Sequence, residues 1–227
     1  MAKKHYMVLD TETVTDARVP YDVAWIIVDR KGNEVERFNG LTEEVMGNPT
    51  GRYMLRHDSF SKRKASFYLD SISMNDLIMP FEDIKARTNA ALEQYHCPVV
   101  AYNAAFDVKV LNNFSDSILG ARFFNNAPVW DLWTMALNII CDSNNYVQWC
   151  KNSNFITDKG NLKSSAESVY SYLFNDVDFE EQHTALADCE IEAQILQKVF
   201  QRKRKLYTSM CGFVSRQPVW IKRLKKN

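Results

Sequence analysis

The arrangement of apolar residues predicts short β-strands in the first half of the chain. Apolar runs at Tyr6–Asp10 and Asp22–Val28 are typical of buried strands, and Glu34–Asn39 follows after the turn residues Lys31-Gly32-Asn33. Two further runs occur at Pro98–Tyr102 and Val129–Trp130. The first three strands are therefore expected to form hairpins.

A second spacing, of about 3.6 residues, predicts helices between and after the later strands. Asp131 is placed to cap one of them. Residues 41–80 are mixed and polar, so short helices and loops are expected there. This order predicts an α/β fold, with a mixed β-sheet flanked by helices on both faces. The predicted helices are Phe81–His96, one that ends at Asn113, Ser164–Phe174 and Thr184–Phe200.

The composition is that of an ordinary globular protein. The chain has 227 residues, of which 46% are apolar and 25% are charged, so one domain suffices and the disordered class is excluded. No apolar run approaches the roughly 20 residues that span a bilayer. The apolar stretch Tyr6–Leu9 is too short for a signal-peptide core. We therefore predict a cytoplasmic protein that does not bind membranes.

The cysteines argue against a disulfide framework. There are five of them, and none stands in a CxxC pair. An odd number without that spacing also makes a thiolate zinc site unfavourable. Reduced, buried thiols are the expected state.

The net charge is zero, but it is unevenly distributed along the chain. Residues 201–227 contain nine Lys or Arg and no acid, whereas the first 200 residues contain nineteen bases and twenty-eight acids. We therefore divide the chain into a domain at 1–200 and a basic tail at 201–227. The tail is either a solvated end or a contact for an anion, and its Trp220 among lysines and arginines is compatible with nucleic-acid binding.

Three groups of polar residues follow predicted strands or begin predicted helices. Asp10 and Glu12 end the first strand on one face, a spacing at which two carboxylates can share a divalent cation. Asp107 lies at a helix start, where it could instead complement the helix dipole. His183 precedes the last helix, and Asp188 lies one turn inside it, beside an apolar stripe. Each group alone is more often structural than catalytic.

Taken together and in this order, the groups resemble a known enzyme family. Asp-x-Glu at Asp10, Asn-x-x-Phe-Asp ending at Asp107 and His-x-x-x-x-Asp ending at Asp188 are similar to the DEDD exonuclease superfamily in its histidine subgroup. That subgroup includes the DnaQ-like proofreading subunit of bacterial DNA polymerase III. The resemblance spans residues 5–200, and Thr157–Ala166 is also similar to small phage and bacterial members.

The resemblance implies a ribonuclease H-like fold and a 3′→5′ exonuclease that uses two divalent cations, Mg²⁺ or Mn²⁺. It implies that the metal ligands are Asp10, Glu12, Asp107 and Asp188, and that His183 is the general base, a role that suits an unperturbed imidazole pKa of about 6.5. Nucleic acid is the expected partner, with DNA favoured over RNA, and a polymerase or other replication protein is a candidate partner. Candidates for holding the terminal nucleotide are Thr13, Asn103 and Phe106.

Three alternatives stay open at this stage. An exoribonuclease of the same superfamily, similar to oligoribonuclease or RNase T, would use the same five residues and differ in its contacts to the 2′-hydroxyl. A nucleic-acid-binding or polymerase-tethering module could keep the fold without catalysis. A metal-dependent phosphatase or nucleotidase would act on small phosphates, but would have no evident use for the basic tail.

Overall fold

The centre of the fold is a six-stranded mixed sheet with the strand order β4-β3-β2-β1-β5-β6. The structure is a computed structural model that describes residues 4–14, 18–57, 68, 76–203, 205–206 and 211–212. Strands β1, β2 and β3 form an antiparallel meander, and β5 and β6 add to β1 in parallel. The strands are β1 (His5–Val14), β2 (Val19–Asp29), β3 (Glu34–Thr42), β4 (Ile78–Met79), β5 (Val99–Ala101) and β6 (Val129–Asp131).

Seven α-helices surround this sheet in the described part of the chain. They are α1 (Pro49–His57), α2 (Phe81–Tyr95), α3 (Ala105–Leu119), α4 (Leu132–Ala136), α5 (Asn144–Asn152), α6 (Ala166–Phe174) and α7 (Ala185–Arg202). Five-residue π-helical turns follow β3, at Glu43–Gly47, and α4, at Leu137–Cys141. No helix of the described residues is both long enough and apolar enough to cross a bilayer.

The alternation of side chains along β1 creates two cores. Tyr6 and Val8 pack with α4 to α7 on one face of the sheet, whereas Met7 and Leu9 pack with α2 and α3 on the other. The sheet is therefore covered on both faces, which confirms the predicted α/β architecture. A third apolar cluster lies beside the start of β2 and includes Leu55 of α1.

Local sequence signals account for several element boundaries. The turn between β2 and β3 contains Gly32 at a φ of 82°, a conformation that glycine adopts at low cost. Asp131 caps α4 as predicted, because its side chain accepts a hydrogen bond from the N–H of Thr134. All five cysteines are buried and unpaired.

Some boundaries predicted from the sequence are wrong. The helix expected to end at Asn113 continues to Leu119, because Phe114 and Leu119 pack against the second core. Strands β1 to β3 are longer than their apolar runs, since the sheet continues into polar residues such as Glu12. Helix α5 and the two-residue strand β4 were not predicted. Residues 58–67 and 69–75, which belong to the stretch 41–80, and most of the 201–227 tail lie outside the described residues.

Candidate active site

The candidate site begins where β1 reaches its polar end. Tyr6 and Val8 face the α7 side of the sheet, and the alternation along β1 continues this face to Asp10 and Glu12. The register between β1 and β2 shifts between Glu12 and Thr13, an irregularity that commonly redirects side chains beside active sites. Both carboxylates therefore face the helix that carries the third sequence motif.

The start of α7 brings the third motif to these carboxylates. His183 has a left-handed backbone with a φ of 55°, and Thr184 then caps the helix by accepting a hydrogen bond from the N–H of Ala187. Asp188 follows in the first turn. One ligand atom each from Glu12, His183 and Asp188 lie within 4.8 Å of one another. Glu12 thus meets two residues that lie 171 and 176 positions later in the sequence.

Asp107 reaches the site from the opposite side of β1. It lies in the first turn of α3 and is 2% exposed. The hydroxyl of Thr11 donates a hydrogen bond of 2.8 Å to its Oδ1 atom, which ties α3 to β1 between Asp10 and Glu12. Burial raises the pKa of Asp107 to about 7, although the hydrogen bond from Thr11 opposes this shift.

Burial and, after it, mutual repulsion among carboxylates determine the electrostatics of the cluster. Burial raises the pKa of Asp10 well above its usual value, and the charges of Asp107, Glu192, Asp188 and Glu12 raise it further. All four neighbours are acids. Hard carboxylate oxygens held together against their own repulsion are the ligand set that suits Mg²⁺ or Mn²⁺. The residues present therefore fit a divalent metal centre.

Glu192 is a fifth acidic residue of this cluster that the sequence motifs do not include. It lies one turn after Asp188 on α7 and is 3% exposed. Its Oε2 accepts a hydrogen bond of 3.1 Å from the N–H of Tyr102, just after β5. Burial raises its pKa well above the usual value, and the nearby charges of Asp107 and Asp188 add to this effect. The sequence signal that could have identified Glu192 is its spacing of four residues from Asp188, which places both side chains on one face of the helix.

The three candidates for nucleotide contacts lie around the same end of the sheet. Thr13 follows Glu12 on β1 and is half-buried. Asn103 adopts a left-handed φ of 63°, and its carbonyl accepts the N–H of Phe106 at 2.8 Å, which forms the turn into α3. Phe106 is 38% exposed, so it does not belong to the core, and a nucleobase can reach its ring.

Comparison with known proteins gives matches in structure only. No protein-family model matches the sequence, and no curated protein matches it significantly. Exonuclease X, solved in complex with 5′ overhanging duplex DNA, aligns over 91% of this chain and 97% of its own chain, with a TM-score of 0.54 and 18% identity.

Exonuclease I is also similar. The E. coli enzyme with a 5cy-dT13 oligonucleotide aligns over 89% of this chain and 41% of its own chain, with a TM-score of 0.60 and 15% identity. Exonuclease I from Methylocaldum szegediense has a TM-score of 0.56 at 16% identity, over 89% of this chain and 41% of its own. The chain thus spans nearly all of exonuclease X and about two-fifths of exonuclease I.

The likeness to exonucleases I and X confirms, at the level of the fold, the resemblance predicted from the sequence. The chain has the ribonuclease H-like α/β fold that these exonucleases share.

Proposed function

We propose that the chain is a divalent-metal-dependent 3′→5′ exonuclease that releases nucleoside 5′-monophosphates from DNA ends. The observation that carries this proposal is the convergence of Glu12, His183 and Asp188 within 4.8 Å, with Asp10 and Asp107 as charged neighbours. The fold supports it, because the similar exonucleases were solved with DNA. A phosphodiester bond is the substrate that such a metal centre suits best.

In this proposal, Asp10, Glu12, Asp107 and Asp188 hold two divalent cations. When bound, such cations lower the pKa of an attacking water and stabilise charge on the phosphate and on the leaving 3′-oxygen. The protein supplies the preorganised carboxylates: Thr11 fixes Asp107 by a hydrogen bond, and the first turn of α7 fixes Asp188. Little reorganisation is then needed during the reaction.

His183 is proposed to accept the proton of the attacking water. Its side chain is 48% exposed, so water can reach the ring, and its Nδ1 lies 3.7 Å from Oε2 of Glu181. A carboxylate near Nδ1 favours the tautomer in which Nδ1 carries the proton and Nε2 is the basic nitrogen. Glu181 is therefore proposed to orient the base.

We expect His183→Ala to lower the rate by roughly 10²–10⁴-fold, because a positioned general base contributes about that much. Metal binding should persist, since the carboxylates remain. The measurement is kcat on a DNA oligonucleotide, together with Mn²⁺ affinity by calorimetry. His57→Ala is the control, because His57 is an exposed histidine that stacks on Tyr53, outside the cluster. Full activity of His183→Ala at neutral pH would show that the base is another group.

A pocket on α3, the helix that carries Asp107, offers cations to a nucleic-acid backbone. It has a volume of about 370 Å³ and lies between the start of β2 and one face of α3. Arg18 and Lys109 line it, and neither forms an ion pair with another described residue. The polar side chains of Asn113 and Ser117 and the ring of Phe114 complete the wall. Cations, polar groups and an aromatic ring together are typical of single-strand binding surfaces.

The double substitution Arg18→Gln, Lys109→Gln should therefore weaken binding of single-stranded DNA and flatten its salt dependence. Each lost phosphate contact should reduce the slope of log K against log salt by about 0.7. Fluorescence anisotropy on an Asp188→Asn background measures this without cleavage. Lys151→Gln, Lys159→Gln is the control, since it removes two exposed charges outside the pocket. Equal slopes for the two double variants would exclude the pocket as a backbone contact.

The basic tail is proposed as a second contact for nucleic acid, although residues 213–227 lie outside the described part of the chain. Cys211, earlier in the tail, packs with the body: it is buried, and its carbonyl accepts the N–H of Asp131 at 2.7 Å. A truncation that tests the tail should therefore begin after Gly212. A replication partner and a cytoplasmic location remain predictions.

The reaction products test the proposed function. Single-stranded DNA and RNA of the same sequence are incubated with Mg²⁺ or Mn²⁺, and the products are identified by mass spectrometry. We expect nucleoside 5′-monophosphates, released faster from DNA. Faster release from RNA would establish the exoribonuclease alternative. Hydrolysis of a nitrophenyl nucleotide ester, with both polymers left intact, would indicate the phosphatase alternative.

A further inference from the structure

A buried aspartate outside the sequence motifs lies directly beside the candidate site. Asp22, near the start of β2, is 1% exposed and is the cross-strand partner of Glu12. Directly opposed residues of an antiparallel pair point to the same face of the sheet. Asp22 and Glu12 therefore share the face that α7 covers.

The carboxylate of Asp22 joins β2 to three other segments of the chain. Its Oδ2 accepts hydrogen bonds from the hydroxyl of Tyr68 at 2.6 Å and from the N–H of Ala185 at 3.0 Å. Its Oδ1 accepts from the side-chain amide of Asn39 on β3. A buried carboxylate is costly unless donors surround it, so these hydrogen bonds determine its position strongly.

The hydrogen bond to Ala185 fixes the start of α7. Ala185 is the first residue of that helix, and a carboxylate at this point complements the helix dipole. His183, with its left-handed φ of 55°, lies two residues earlier, and Asp188 lies three residues later. Asp22 thus holds the segment through which the chain passes from the proposed base to a proposed metal ligand.

Tyr68 connects this network to the chain between β3 and α2. It is 3% exposed and packs in the third apolar cluster with Val45, Met46 and Leu55. Its ring also packs edge-on against Tyr21, with the ring centroids 5.1 Å apart. The apolar core therefore fixes the ring of Tyr68. Because the hydroxyl on this ring donates a hydrogen bond to Asp22, the ring constrains the position of the Asp22 carboxylate.

We propose that Asp22 and Tyr68 are positioning residues for the exonuclease reaction. Tyr68 orients the carboxylate of Asp22, and Asp22 sets the start of α7 so that His183 lies beside Glu12 and Asp188. The proposal rests on the proposed function. It assigns Tyr68, from the chain between β3 and α2, a role in the rate of the chemical step.

Tyr68→Phe tests the proposal, because it removes the hydroxyl and keeps the ring. We expect kcat on a DNA oligonucleotide to fall about tenfold, with KM within about twofold, since small displacements of a catalytic group are costly. Tyr146→Phe is the matched control. Tyr146 is equally buried, and its hydroxyl donates a hydrogen bond of 2.8 Å to the carbonyl of Lys163. It should lose a similar amount of thermal stability and keep the wild-type kcat.

A second readout separates positioning from general destabilisation. The chain has four histidines, and the NMR signal of the His183 ring can be assigned from its loss in His183→Ala. We expect this signal to shift in Tyr68→Phe and to stay in place in Tyr146→Phe.

Asp22→Asn keeps an oxygen for Tyr68 and Ala185, so it should retain kcat within about threefold, whereas Asp22→Ala should lose roughly 10²-fold.

Two failures can be distinguished. If wild-type protein degrades DNA, but Tyr68→Phe and Tyr146→Phe have equal kcat values and the His183 signal does not move, the positioning role is wrong. If wild-type protein degrades no polynucleotide, the proposed function is wrong, and the positioning role fails with it, whatever the histidine signals show.

Discussion

Asparagine in place of Asp188 is expected to leave a folded protein with almost no nuclease activity. The substitution keeps the shape of the side chain but removes one of the carboxylates that meet at the start of α7. Losing a metal ligand removes charge stabilisation of the transition state, so we expect kcat to fall by roughly 10³-fold or more. The measurement is the initial rate of nucleotide release at saturating Mg²⁺.

The stability of the same variant shows whether its inactivity has a local cause. The charge of Asp188 raises the pKa values of Asp10 and Glu192, so its removal relieves repulsion in the metal-free protein. We expect metal-free Asp188→Asn to melt at the wild-type temperature or above it near pH 8. Asp176→Asn, at an exposed position outside the cluster, should be wild-type in both assays. An inactive Asp188→Asn that melts well below wild type would indicate unfolding instead.

The metal-free protein is expected to lose stability as the pH rises from 5 to 8, and divalent cations should restore it. The folded-state pKa of Asp107 is raised to about 7, whereas an unfolded aspartate has a pKa of about 3.9. Between these values the folded state binds more protons than the unfolded state, so the free energy of unfolding decreases with increasing pH. The raised pKa values of Asp10 and Glu192 add to the same trend.

Metal binding reverses this trend, because cations bind the ionised carboxylates and release their protons. At about 2–4 °C per kcal/mol for a protein of this size, we expect the metal-free melting temperature to fall by roughly 5 °C or more, and Mn²⁺ to raise it more at pH 8 than at pH 5. Asp107→Asn is the control and should flatten the pH dependence. A metal-free melting temperature that rises over this range, with no response to Mn²⁺, would contradict a carboxylate metal centre.

The fold was predictable from the sequence where local periodicity determines it. Strands β1 and β2 alternate between two cores, and α7 has one apolar stripe, so both could be found from spacing alone. The five candidate residues came from the resemblance of the three ordered motifs to an exonuclease family, and they follow strand ends and helix starts, which converge at one edge of such a sheet. The short strand β4 has only two residues, which is too few for any pattern.

The supporting residues could not be predicted, because their roles depend on contacts between distant positions. Asp22 begins an apolar strand and gives no local signal, yet it accepts a hydrogen bond from Ala185, 163 positions away. Glu192 likewise has the spacing of an ordinary acidic residue on a helix. Its burial, and the hydrogen bond that it accepts from the N–H of Tyr102, depend on the folded structure. Burial of polar groups is set by tertiary contacts, which periodicity does not contain.

Degradation of 5′-labelled single-stranded DNA in Mg²⁺, by wild-type protein and by Asp188→Asn in parallel, tests the central claim most directly. The proposed function predicts a ladder that shortens one nucleotide at a time from the 3′ end with wild-type protein, and intact DNA with the variant. Intact DNA with wild-type protein in both Mg²⁺ and Mn²⁺ would contradict it and indicate a nucleic-acid-binding module. An equal ladder from Asp188→Asn would show that the carboxylate cluster is not the catalytic centre.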